Sequence, residues 1–506
     1  MKNTRVGFDN EKYLKEQTRA ILERVKTFNN KLYLEFGGKL VFDYHASRVL
    51  PGFDPNVKIR LLKKLKEKAD IILCIYAGDI ERRKVRADFG ITYDADALKL
   101  IDDLREWGLE ITAVVITRFA DQPAVRIFKN KLERRNIRVY THGVTKGYPK
   151  DVNTIVSESG YGKNEYIKTK KPLVVVTAPG PGSGKLATCL NQLYHEHRRG
   201  LRAGYAKFET FPIWNLPLEH PVNVAYEAAT ADLKDFNLID PHHKRAYGKE
   251  AINYNRDVEA FPVLKSILKK ITASRAVYNS PTDMGVNRAG FGITDDAVVS
   301  EAARQEIIRR YFRYHCEYMM GLADRDTVKH IEAIMRRMRL DPRKRRVVKP
   351  ARVAAQDAER KKKGNEGIYC GAALELKDGG IVTGKNSPLM HAASSLVLNA
   401  IKKLAGIPDN IHLLSPATIQ TITNLKKNIL SAKSVSLDLE ETLIALGISA
   451  EINTVGKLAL GKLKSLQGCE AHMTYMPLPG DEAGLRKLGI NLTTDPKFST
   501  ASLFVA

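Results

Sequence analysis

Short apolar runs alternate with helical segments through the first half of the chain, and this alternation limits the fold more than any other feature. Residues 71–77, 110–117, 138–141, 173–177 and 204–209 read as strands, with helices over 54–68, 94–107, 121–135 and 185–199 between them. Parallel strands need crossovers of about this length, so the expectation is a mainly parallel, Rossmann-like and P-loop-like α/β sheet. An amphipathic helix over 11–29 precedes it, and the alternation in 31–44 around Gly37-Gly38 predicts a hairpin.

From 222 to 340 the helical period dominates, notably over 295–318 and 326–339, which predicts a helical middle domain. Further on, 368–375 and 381–383 form an expected hairpin across Lys377-Asp-Gly-Gly380. Helices over 389–405, 416–429, 437–446 and 454–466 follow, with strands over 411–414 and 470–475. The domain expectation is therefore 1–221, α/β with the P-loop-like turn; 222–340, helical; 341–367, a basic linker; and 368–506, a smaller α/β domain. A chain of 506 residues allows about three domains.

A content of 43% hydrophobic and 27% charged residues is ordinary globular usage and excludes a disordered or collagen-like chain. The first residues lack the apolar core of a secretory signal, and the longest apolar runs fall far short of the roughly 20 residues that span a bilayer. Five cysteines, odd in number and widely spaced, suggest neither a disulfide framework nor a CxxC site. The expectation is a cytoplasmic protein without a membrane span.

The sharpest local signal is Val174-Val-Val-Thr-Ala-Pro-Gly-Pro-Gly-Ser-Gly-Lys-Leu-Ala-Thr-Cys-Leu190, a buried strand entering a glycine-rich turn and then a helix. Gly180, Gly182, Ser183 and Gly184 would present backbone amides to phosphate, and Lys185 would neutralise it. The pattern GxxxxGK[ST] would want Gly where Pro179 stands and Ser or Thr where Leu186 stands. The ordinary Mg²⁺-binding hydroxyl is therefore missing, and Thr188, about 3 Å further along the helix axis, would need a rearranged loop or a bridging water to serve in its place. The expected cofactor is ATP or another phosphate-bearing nucleotide, with or without Mg²⁺. The following Gly204-Tyr-Ala-Lys207 resembles the second strand of dethiobiotin-synthetase-like P-loop enzymes over about 40 residues.

Two polar clusters lie further along. Asp240-Pro-His-His-Lys-Arg-Ala-Tyr-Gly248 with Asn253-Tyr-Asn-Arg-Asp257 is dense in titratable groups and offers His242 as an acid or base; adjacent His242 and His243 diverge on any regular element, so a two-histidine metal site is not expected. Tyr278-Asn-Ser-Pro-Thr-Asp-Met-Gly-Val-Asn-Arg-Ala-Gly-Phe-Gly292 offers Asp283 for Mg²⁺ or as a base and Asn287 and Arg288 for phosphate or substrate, against a plain helix-capping role. The net charge is +25, and residues 335–363 carry 13 basic and 3 acidic residues, +10 of that total. Without interleaved aromatics this segment reads as a solvated linker or helix face rather than an RNA-binding patch.

Gly371 to Asn386 resembles the strand-turn-strand of cytidine-deaminase-like domains, and Leu389-Met-His-Ala-Ala-Ser-Ser395 falls where their His-Ala-Glu helix begins. Ala393 replaces the catalytic glutamate, and Ala417 stands where a zinc-binding cysteine would, so a degenerate layer with neither zinc nor base deamination is expected. Lys385, Asn386, Ser387 and His391 could still line a repurposed pocket.

Four motifs together, Asp79 to Tyr93, Thr177 to Lys185, Ser280-Pro-Thr-Asp-Met-Gly-Val-Asn287 and Gly384-Lys-Asn-Ser-Pro-Leu-Met-His391, resemble the bacterial family known as domain of unknown function 1846 over nearly the whole chain. The resemblance implies a multidomain α/β protein and assigns no reaction. The functional expectation is a nucleotide-dependent phosphotransferase or ligase acting on a small molecule held between the P-loop-like domain and the others, with Asp283 and His242 as catalytic candidates. The alternative is a non-enzymatic protein that binds nucleic acid or another ligand. A homodimer is expected from the apolar helices 299–318 and 390–404.

Overall fold

The structure is a computed structural model that describes residues 6–29, 31–86, 90–273 and 278–500. It divides into two compact units, Arg5–Ala303 and Arg304–Ala506, and the division falls inside helix Asp296–Met319. Among the described residues no helix is long and apolar enough to cross a membrane.

The first unit is built on six strands: β1 Leu32–Phe36, β2 Ala69–Tyr76, β3 Ala113–Thr117, β4 Val139–His142, β5 Leu173–Thr177 and β6 Gly204–Phe208. All pair in parallel, in the order β4-β3-β2-β5-β1-β6. Every residue of β1, β3, β5 and β6 is buried, as aliphatic and aromatic runs require when both faces of a sheet are covered. On one face Tyr33, Ile72, Cys74, Val174, Val176 and Tyr205 pack against Cys189, Leu190 and Leu193 of helix Lys185–Arg198, and against Phe261, Leu264 and Ile267 of helix Asn255–Ile271.

The expected hairpin in 31–44 is not formed. Leu32–Phe36 is a single inner strand, in register with Leu173–Val176 on one side and Gly204–Phe208 on the other, and Gly37-Gly38 leads away from the sheet. Within 222–340 the chain is largely helical, with a two-stranded antiparallel ribbon, Asn237–Ile239 and Ile252–Tyr254.

The second unit carries β7 Gly371–Glu375, β8 Ile381–Lys385, β9 Glu470–Met473 and β10 Asn491–Thr494, in the order β8-β7-β9-β10. β7 is antiparallel to both neighbours, and β9 is parallel to β10. The hairpin across Lys377–Gly380 is present, whereas 411–414 has no ladder partner and is irregular. The two helices from which a dimer was expected are buried within the chain: Leu396, Val397, Ala400 and Ile401 in one and Val299, Ile307, Ile308 and Phe312 in the other are 2% exposed or less.

The basic segment is structured. Helix Val348–Arg360 lies on β7, with Val347 and Ala351 packed on Ala373. Arg345 is 3% exposed and donates to Thr493 Oγ1, Glu470 and the carbonyls of Ala471 and Asn491. Arg346 pairs with Glu375, Arg352 with Asp495, and the exposed Arg343 with its near neighbour Asp341. A buried guanidinium that ties helix entry to two strands and an exposed one that folds back locally should differ in weight. Arg345→Ala is expected to lower unfolding free energy by about 3 kcal/mol and Arg343→Ala to leave it unchanged within error, as measured by urea denaturation.

Candidate functional site

The glycine-rich turn leaves the carboxyl end of β5 and opens helix Lys185–Arg198. Gly182 and Gly184 adopt φ of +71° and +86°, which side chains resist. A Cβ on Gly184 would meet Thr117 at 2.8 Å, and one on Gly180 would enter the Tyr93 ring. The turn is braced from within and from β3: Ser183 Oγ donates to the Gly180 carbonyl at 2.8 Å, Thr117 Oγ1 to the Ser183 carbonyl at 2.8 Å, and Arg118 to the Gly182 carbonyl at 3.2 Å. Among the described residues, the backbone N–H groups of Gly182, Ser183 and Gly184 and the Lys185 ammonium have no hydrogen-bonding or ion-pair partner. The helix is fixed at its far end. Glu196 accepts from Tyr33 of β1 and from Tyr166, and Gln192 holds both the N–H and the carbonyl of Ile167.

Thr188 faces away from the turn. It is buried on the sheet side of the helix, its hydroxyl 3.4 Å from Cys74 Sγ. The structure thus gathers Gly180, Gly182, Ser183, Gly184 and Lys185 at one place and leaves Thr188 outside it.

The turn also lies where the sheet reverses its winding. From β5 the chain passes over β1 to β6, and from β2 it moves the other way to β3. The carboxyl ends of adjacent β2 and β5 are therefore where departing connections separate, and ligands of open parallel sheets bind in such crevices. Cations and rings crowd this edge: Arg118 sits 4.4 Å over the Tyr76 ring and Lys84 5.3 Å over the Tyr93 ring.

Two strands along, β1 and β6 end in a second polar cluster. Lys207 is buried and bonds Asp257 at 2.6 Å, Glu209 at 3.1 Å and Tyr254. Burial works to lower its pKa, but Asp257 and Glu209 overcome that and hold it well above the usual lysine value. Glu209 accepts from Tyr254 at 2.9 Å, and its backbone N–H donates to Asn287 Oδ1 at 2.7 Å. Burial pushes its carboxyl up to about 7, opposed by Lys207 and reinforced by Asp257 and Glu35. Glu35 of β1 accepts from Tyr205 at 2.7 Å. Sequence reasoning placed Asp257 in a polar cluster without a role and gave none to Glu35 or Glu209; the available signal for Glu35 was a lone carboxylate inside Leu32-Tyr-Leu-Glu-Phe36.

The two catalytic candidates from the polar clusters are separate. The His242 ring packs at a 55° tilt against Phe261, with centroids 4.9 Å apart, while its neighbour His243 reaches Ser280 Oγ at 3.0 Å. Asp283 accepts from the backbone of Asn279 and Ser280 and from Tyr247, completing a capping box on the short helix Pro281–Met284. Asp240 binds the two segments together: Oδ1 accepts from the N–H groups of His242 and His243, and Oδ2 from the N–H and hydroxyl of Thr282.

In the second unit His391 Nδ1 donates to Asp481 Oδ2 at 2.8 Å, and Asp481 Oδ1 accepts from Leu439 N–H. Burial alone would lower the pKa of His391; the bond to Asp481 raises it. Among the described residues no three His, Cys, Asp or Glu side chains come together in a way that could hold a metal ion.

Two family models match the chain, "Domain of unknown function DUF1846, N-terminal" over residues 6–339 and "Domain of unknown function DUF1846, C-terminal" over residues 343–504. Among similar proteins, a UPF0371 protein of Clostridium botulinum strain Langeland is 60% identical over 501 residues, 99% of each chain. A UPF0371 protein of Clostridium tetani is 57% identical over 500 residues, again 99% of each chain. The chain belongs to the DUF1846 family.

A carboxyl group whose folded pKa stands near 7 and whose unfolded value is near 4.5 binds its proton more tightly when folded, so its contribution to stability falls as pH rises through that window. Glu209→Gln should therefore match the wild type near pH 4.5 and gain on it up to pH 7. Melting curves across this range that stay parallel for the two proteins would refute the assignment.

Proposed function

We propose that the unit Arg5–Ala303 binds the phosphates of a nucleotide, ATP or a relative, at the turn 180–185, and serves a phosphotransferase or ligase reaction on a small molecule. The observation that carries this reading is a glycine-rich turn whose amides and lysine have no partner among the described residues, at the crevice between β2 and β5. The amides of Gly182, Ser183 and Gly184 and the Lys185 ammonium would hold phosphate oxygens, with Arg118 as a second cation at the rim. Leu186 offers no ligand and Thr188 faces Cys74, so a Mg²⁺ accompanying the nucleotide takes no hydroxyl from this helix.

Proton transfer falls to Glu209 rather than to Asp283 or His242. Asp283 is committed to capping and His242 to Phe261, whereas Glu209 lies on the sheet edge with a carboxyl that titrates near neutrality. The nucleic-acid reading gains no support, since Arg343, Arg345 and Arg346 of the basic segment are each engaged by a carboxylate of the chain.

Calorimetry and thermal shift with ATP, GTP and a dinucleotide, each with and without Mg²⁺, test the proposal. Saturable binding is expected to stabilise the fold by about 2.7 kcal/mol at a hundredfold excess of ligand over Kd. Lys185→Ala should weaken binding at least ~10-fold, or about 1.4 kcal/mol, while leaving the melting temperature without ligand unchanged. No saturable binding of any of these at millimolar concentration sinks the idea.

A further inference from the structure

Glu35 differs from Asp43, Asp79, Asp235 and Asp240, which are also buried in the first unit. Asp43 is paired with Lys58 at 2.7 Å, Asp79 with Arg82 at 3.2 Å and Asp235 with Arg256 at 2.6 Å, while Asp240 accepts from four donors. Glu35 is 9% exposed and accepts one hydrogen bond, from the Tyr205 hydroxyl to Oε2. Among the described residues no cation pairs with it, because the adjacent Lys207 is taken by Asp257 and Glu209. Its Oε1 has no hydrogen-bonding partner among those residues, yet it is not sealed from solvent. Charges this deep in a protein are paired or coordinate a metal.

The position of Glu35 says what the open oxygen serves. It stands in register with Val176 of β5, one residue before Thr177, after which the glycine-rich turn departs. Tyr33 packs with Val174 and Val176 on the face that helix Lys185–Arg198 covers. Residues two apart on a strand share a face, so Glu35 points toward the same helix. Burial raises the pKa of the thiols Cys74 and Cys189 beneath that helix; Glu35 adds to the rise and Lys185 opposes it, so carboxylate and ammonium act on the same two side chains.

We infer that Glu35 Oε1 is the protein ligand of a Mg²⁺ that bridges to the phosphates at the turn 180–185, an assignment that rests on the nucleotide reading above. Mg²⁺ is bound through one or two carboxylates together with substrate phosphates and waters rather than by an all-protein cage. One fixed carboxylate oxygen next to a phosphate cradle meets that need, and no cluster of three ligands is required. β1 fixes it, being hydrogen-bonded on both edges. A hard oxygen ligand selects Mg²⁺ or Mn²⁺ over zinc, and Cys189, kept protonated by burial, offers no thiolate.

Calorimetry of ATP binding to the full chain with and without Mn²⁺ tests the assignment, with electron paramagnetic resonance counting the bound metal. Mn²⁺ should tighten ATP binding to the wild type at least ~10-fold, about 1.4 kcal/mol, with one ion held per chain. Glu35→Gln can still accept from Tyr205 through its amide oxygen; it should bind metal-free ATP no more weakly than the wild type and lose the gain from Mn²⁺. A second measurement needs no variant: Fe²⁺ in place of Mg²⁺, with ATP, ascorbate and peroxide, should cut the wild-type chain around residue 35, as read by peptide mass. Equal ATP affinity with and without Mn²⁺, a Glu35→Gln protein that keeps the gain, or cuts that spare residues 34–36 overturn the assignment and leave the nucleotide reading standing. Failure to bind ATP in either condition overturns the nucleotide reading, and this assignment with it.

Discussion

The first unit depends on β1. This strand is buried on both faces and hydrogen-bonded on both edges, so each of its side chains is placed by the sheet rather than by solvent. Tyr33 reaches Glu196 near the end of the helix that Lys185 opens, and Glu35, one pair further along, stands between Val176 and Lys207 in register. One strand therefore both anchors the helix behind the glycine-rich turn and carries a carboxylate to the edge where that turn lies. Because the six strands are parallel, their carboxyl ends share this edge, and the polar groups that the interior cannot accommodate collect there.

How much of this could be read in advance follows from the range of the interactions. Elements with strong periodicity, such as the helices Tyr93–Glu106 and Lys185–Arg198 and the buried run Leu173–Thr177, stand within a residue or two of expectation. The glycine-rich turn was readable because its residues are consecutive. Strand β1 was misread because Gly37-Gly38 imitates a hairpin turn; the structure uses Gly37 otherwise, since a Cβ there would strike Glu209 Cγ at 2.6 Å. The cluster of Glu35, Lys207, Glu209, Asp257 and Asn287 draws on four separate stretches of chain, and no local pattern announces it. Strand β10 escaped notice for a related reason: it is only four residues long and its partner β9 lies about twenty residues away.

Charge gives a parallel lesson. In composition, residues 335–363 look like a cationic arm. In the folded unit four of its arginines, Arg343, Arg346, Arg345 and Arg352, pair with Asp341, Glu375, Glu470 and Asp495, three of them distant in sequence. Arg345 and Arg343 are two residues apart and equal in formal charge, yet one is a buried connector between strands and the other a solvated side chain. A count of charges along the chain therefore overstates the positive field the fold displays.

Asp240 makes one mechanical object out of two segments. Both of its oxygens are occupied, one by the first turn of helix Pro241–Tyr247 and the other by Thr282, so neither segment can peel away without leaving a buried carboxylate unsolvated. The backbone around 242 and around 282 thus opens as a single cooperative step, with a shared free energy, although forty residues separate the two in the chain.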